Sequence, residues 1–127
     1  MNDIRERNLD YLAAKHAQRI VDSGADENLI TKALGVLQEN GVYACFLYLL
    51  ANNGQSMVDE MLNLFKEPAF GFNAPPKNGE NAETLKYVAE HITTDLLRLL
   101  LAKEGLEQML IYARYGAKAK RSADFSL

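Results

Sequence analysis

The chain has 127 residues, with 17 Asp and Glu against 14 Lys and Arg and a formal net charge of −3. Apolar residues make up 48% and charged residues 24%, a globular composition that excludes a collagen-like or wholly disordered chain. One cysteine and two histidines rule out an internal disulfide and a multi-cysteine zinc site. The longest apolar run, Val42 to Ala51, is about half of what a membrane span needs. The N-terminal stretch MNDIRERN is polar and mixed in charge, which is not the pattern of a secretory signal. These features predict one soluble, cytoplasmic domain over 1–127.

Hydrophobic spacing is helical almost throughout. Leu9, Leu12, Ala13, His16, Ala17 and Ile20 follow the three-four spacing of one helix face. Asn2 or Asp3 is the expected cap, and Ser23-Gly24 the stop. Asp26 then caps a second helix with the stripe Leu29, Ile30, Ala33, Leu34 and Leu37, ended by Asn40-Gly41. Val42 to Ala51 is apolar all round, which predicts a buried central helix. Ser56 with Asp59 reads as a capping-box start for a helix carrying Met57, Val58, Met61, Leu62 and Phe65. Ala69 to Asn81 holds Phe70, Gly71, Phe72, Pro75, Pro76 and Gly79 and reads as a long loop, functional or mobile. Leu85, Val88, Ala89 and Ile92 make a fifth helix. Thr93 or Thr94 with Asp95 restarts the chain into a last helix from about Leu96 to Ala119, with a frayed tail over 122–127. The expected fold is all-α, a compact bundle of five to six helices.

Chemistry is sparse. Cys45 sits in the most apolar segment and reads as a small buried hydrophobe. His16 falls on the apolar face of the first helix and reads as a core or boundary histidine. His91 ends the fifth helix, where a cation suits the macrodipole. Asp59-Glu60 read as helix-start acids on a solvated face. No phosphate-cradling loop, H-E-x-x-H, EF-hand loop or nucleophile elbow is present, so no catalytic residue, metal ligand set or cofactor is expected.

Charge is uneven. The segment from Asp22 to Glu67 has a balance of −5, and that from Arg98 to Arg121 a balance of +4. With Lys103 at zero on a wheel of ~100° per residue, Arg114 falls near ~20°, Lys118 near ~60° and Arg121 near ~0°. Leu106, Met109, Ala113 and Ala117 centre ~80° away. Four cations therefore flank the buried face as a line. Spacing alone fits a solvated face whose bases complement the helix dipole better than a strip for a phosphate backbone. Lys15 and Arg19 are neighbours on the first helix. Tyr112 and Tyr115 have rings suited to base stacking, although core or protein contact is the commoner role.

Three stretches carry a resemblance to a known family. They are Asn8 to Lys15, Leu37 to Ala51 through the Asn40-Gly41 turn, and Glu104-Gly105-Leu106 through Met109-Leu110 to Arg114-Tyr115-Gly116-Ala117. Together they resemble the small all-helical subunit of type III-B (Cmr) CRISPR RNA-guided effector complexes. The tryptophan usual on that family's last helix is absent, with Ile111-Tyr112 in its region. The type III-A small subunit is also helical and of similar size. The resemblance implies a non-catalytic bundle used in antiviral defence. Copies of it stack beside backbone subunits and line the groove that holds guide RNA and target RNA. Carried over, Lys15, Arg19, Lys103, Arg114, Lys118 and Arg121 become the candidates for facing RNA. The acidic middle becomes a candidate for protein contacts. Two other readings stand beside this one: a helical protein-interaction module without RNA, and a small enzyme built on Cys45 or a histidine.

Overall fold

The computed structural model describes residues 8–76 and 81–126. Six α-helices and no strand occur among them: α1 Leu9–Asp22, α2 Glu27–Asn40, α3 Val42–Ala51, α4 Gln55–Phe65, α5 Asn81–Tyr87 and α6 Leu96–Ser126. A 3₁₀ turn over Pro68–Phe70 follows α4, and a π turn over Val88–Ile92 extends α5. The expected all-α bundle is what the chain forms.

Local chemistry sets the boundaries. Asn8 caps α1, its side chain accepting from the Asp10 and Tyr11 amides; the expected caps Asn2 and Asp3 lie outside the described residues. Asp26 caps α2 through the Leu29 amide, and Asp95 caps α6 through the Arg98 amide at 3.0 Å. Gly41, at φ 98°, joins α2 to α3 in a conformation that side chains other than glycine rarely adopt. The capping box expected at Ser56 does not form. Helix α4 starts two residues earlier, after Gly54, where the chain presses on Leu49. A Cβ on Gly54 would lie 2.7 Å from Leu49 Cδ2. The tail expected to fray after Arg121 continues as helix to Ser126, since no glycine or proline follows Gly116.

Helix α6, about 46 Å long at 1.5 Å per residue, organises the bundle. It packs most extensively on α1 and next on α2. Asp10 lies beside Gln108 and Tyr112, and Val21 beside Gly116, so α1 and α6 run in the same sense. Gln38 reaches Glu107 and Glu27 reaches Arg121, so α2 runs antiparallel to both. Helix α3 folds back on α2, where the Cys45 thiol donates to the Ala33 carbonyl at 3.5 Å.

Helix α3, in contact with α2, α4, α5 and α6, is the expected central helix. Helix α3 buries Val42, Cys45, Phe46 and Leu49 but leaves Tyr43 and Leu47 exposed. Helix α4 is more enclosed, with Met57, Val58, Met61, Leu62, Leu64 and Phe65 all buried. The stretch after α4 is anchored rather than loose. Phe70 and Phe72 stand edge-on to each other at 5.3 Å between ring centres, and both lie against Phe65. Aromatic pairs at such separations add roughly 0.5–1.5 kcal/mol beyond their buried area.

Candidate nucleic-acid interface

The six candidate cations divide into two groups. Lys15, Arg19 and Arg121 are engaged by carboxylates. Lys15 Nζ lies 3.1 Å from Glu67, Arg19 3.6 Å from Glu60 and Arg121 3.3 Å from Glu27. Lys103, Arg114 and Lys118 make no ion pair or hydrogen bond among the described residues.

The line of cations on α6 follows its seam with α2. Glu107, Arg114 and Arg121 are seven residues apart and therefore share one edge of the helix. The first and last of them touch α2. Arg114, midway, is half-buried, and its Nε is buried without a hydrogen-bond partner among the described residues. Lys103 is exposed and Lys118 half-buried. The two glycines do not interrupt the helix. They let neighbours approach: a Cβ on Gly105 would lie 2.7 Å from Phe70 Cζ, and one on Gly116 2.9 Å from Val21 Cγ2.

The tyrosines differ in the same way. The Tyr112 hydroxyl donates to Asp10 and accepts from the Gln108 amide at 3.0 Å, so this ring ties α6 to α1. Tyr115 is exposed and its face is open to a partner.

Away from α6, α1 and α4 are joined by a charged network that sequence reading missed. His16, 1% exposed, places Nδ1 against Glu60 and Nε2 2.5 Å from Glu67. Glu60 is thus not a solvated helix-start acid; its side chain is mostly buried and also accepts from the Asn63 amide. Burial alone would push the Glu67 carboxyl up. Hydrogen bonds from His16 and Lys15, with their positive charge, outweigh burial and hold it below its ordinary range. The available signal was a histidine inside an apolar stripe, which needs a partner wherever it is buried. The two ring nitrogens face different carboxylates, so this is a bridge between helices rather than a chelating set. No group of three or more possible ligands for a metal occurs among the described residues.

Other titratable groups are structural. Burial pushes the Cys45 thiol up to about 12, so almost no thiolate exists at neutral pH. Labelling of Cys45 by a thiol reagent is therefore expected to be at least ~100-fold slower in the native protein than in urea; comparable rates would show an accessible nucleophile. Burial also pushes the Tyr87 hydroxyl up, against the opposing charge of Arg98, and that hydroxyl donates to the Asn73 carbonyl at 2.6 Å. His91 stacks obliquely on Tyr87, and its carbonyl accepts from Arg98.

One further surface stands out. Leu96, Leu97 and Leu100, at the start of α6, are 69%, 79% and 55% exposed. None of the helices in the described residues is long and apolar enough to cross a membrane. No protein-family model matches the chain, and neither a curated protein nor a solved structure does.

Proposed function

We propose that the protein is a non-catalytic helical subunit that lines RNA in an effector assembly of the type III-B CRISPR kind. In this reading Lys103, Arg114 and Lys118 face the phosphate backbone, and Tyr115 is placed to stack beside them. The observation that carries it is the state of those three cations. In a chain with more acids than bases, carboxylates neutralise Lys15, Arg19 and Arg121 yet leave these three unpaired among the described residues. They span ~22 Å of one helix, a length suited to following a strand rather than gripping one ion. Backbone subunits, guide and target RNA and neighbouring copies are the partners this reading implies, in the cytoplasm. Affinity of one copy is low, and repetition along the assembly raises it.

Gel shifts with single-stranded RNA test the reading. About three phosphate contacts give a log–log salt slope near −2, so binding weakens roughly 20-fold between ~50 and ~200 mM salt. Charge reversal at Lys103, Arg114 and Lys118, with the helical circular dichroism spectrum unchanged, is expected to abolish the shift. Absence of any shift from the wild type at low salt, or an unchanged shift from the variant, overturns it.

A second reading, a helical protein-interaction module without RNA, is favoured by the leucines at the start of α6. A contiguous set of large apolar side chains at this exposure is the usual mark of a protein contact. It predicts partner capture that is lost in Leu97→Asp and insensitive to salt.

A further inference from the structure

We propose that His16 is a proton-operated clamp between α1 and α4, closed when the ring carries two N–H groups and opened when it loses one. Both ring nitrogens face carboxylate oxygens, Nδ1 that of Glu60 on α4 and Nε2 that of Glu67 just beyond it. Neither carboxylate offers a proton when ionised. An imidazolium donates to both. A neutral imidazole has one N–H and one lone pair, so whichever tautomer it adopts, a lone pair is left against a carboxylate in a buried place. The ring is too enclosed for water to relieve that contact.

The surroundings make the clamp specific to this histidine. On α1 the flanking charges are Lys15, paired with Glu67, and Arg19, paired with Glu60. On α4, Asn63 donates to the second oxygen of Glu60, and Gln55 donates to Asp59. Helix α6, the other main neighbour of α1, presents Gln108 and Tyr112 to Asp10 and pairs no charged side chain with His16 among the described residues. With the proton lost, one of the two carboxylates loses its imidazole donor, and Lys15 and Arg19 remain as the cations paired with them. The face formed by α1 and α4 then drops by one positive charge and its helices separate more readily. The clamp stands apart from the cations of α6 and does not depend on RNA binding.

The test follows the intact chain from about pH 6 to about pH 8.5, across the range of histidine titration. Two readouts are used: ¹⁵N chemical shifts of the imidazole rings and the thermal unfolding midpoint. Both His16 nitrogens are expected to be protonated at the low end. Loss of one proton should move the backbone amide signals of Glu60 and Glu67, while titration of His91 leaves them in place. The unfolding midpoint should fall as the ring loses its proton, and this fall should be absent in His16→Gln. A His16 ring with one bare nitrogen at the low end, or amide signals that ignore its titration, overturns the clamp. So does an equal pH response in the variant. If His16→Gln does not fold, the wild-type ring and amide signals decide alone, with His91 as the internal reference.

Discussion

Replacing His16 by alanine is expected to destabilise the protein by about 3 kcal/mol, at the lower end of the range for removing one partner from a buried charged pair. The substitution does more than open a cavity the size of an imidazole. Glu60 and Glu67, both largely buried, lose a cation that now contacts both, and their negative charges face each other across the gap. Lys15 and Arg19 remain, but they are partly exposed and so more strongly screened by water. Urea unfolding checks the magnitude. Glu60→Gln and Glu67→Gln should each cost less than His16→Ala, because an amide still accepts a hydrogen bond where the empty pocket does not. A loss under about 0.5 kcal/mol would mean that the network contributes no more than a surface pair.

The same network governs acid stability. The Glu67 carboxyl is held below its ordinary value of 4.5. It therefore binds protons less readily folded than unfolded, and it contributes stability that is present above about that pH and lost as the pH falls through the folded value. In His16→Ala the principal hydrogen bond that lowers this carboxyl is gone, so the variant should lose less on acidification than the wild type does.

Helices were legible in the sequence because the core positions repeat with helical spacing and short turn chemistry separates them. Asp26, Asn40-Gly41 and Asp95 act where their types predict. The start of α4 and the exposed face of α3 depend on packing contacts rather than on local pattern. Gly54 rather than Ser56 starts α4 because Leu49, from the preceding helix, occupies the space a side chain would need. The run Val42–Ala51 is apolar on every face, so composition cannot say which face meets solvent; packing against α2 exposes Tyr43 and Leu47. Of the candidate site, the line of cations on α6 was legible from wheel positions. Which cations are already neutralised was not, since Glu27, Glu60 and Glu67 lie 94, 41 and 52 positions from the bases they meet.

Gly105→Leu is expected to cost about 3 kcal/mol, the upper end of the range for forcing extra carbon atoms into a filled core. Helix propensity predicts the opposite sign, since glycine inside a helix is about 1 kcal/mol worse than alanine and nearly as much worse than leucine. The decisive feature is what lies opposite. A Cβ at 105 meets Phe70 Cζ at 2.7 Å and Cε2 at 3.0 Å, with Leu64 Cδ2 at 3.5 Å. Phe70 has little room to withdraw, because Phe65 and Phe72 flank its ring and Pro68–Phe70 is fixed in a 3₁₀ turn. Gly105→Ala is the sharper comparison. Its Cβ clash and its propensity gain oppose each other, and the clash with an immobile ring is expected to win by about 1 kcal/mol. Phe70→Leu should relieve either substitution, with a coupling of at least ~1 kcal/mol in a double-mutant cycle. A rise in melting temperature for Gly105→Ala would show that the ring moves aside, and that Phe70 does not hold the segment after α4 against α6.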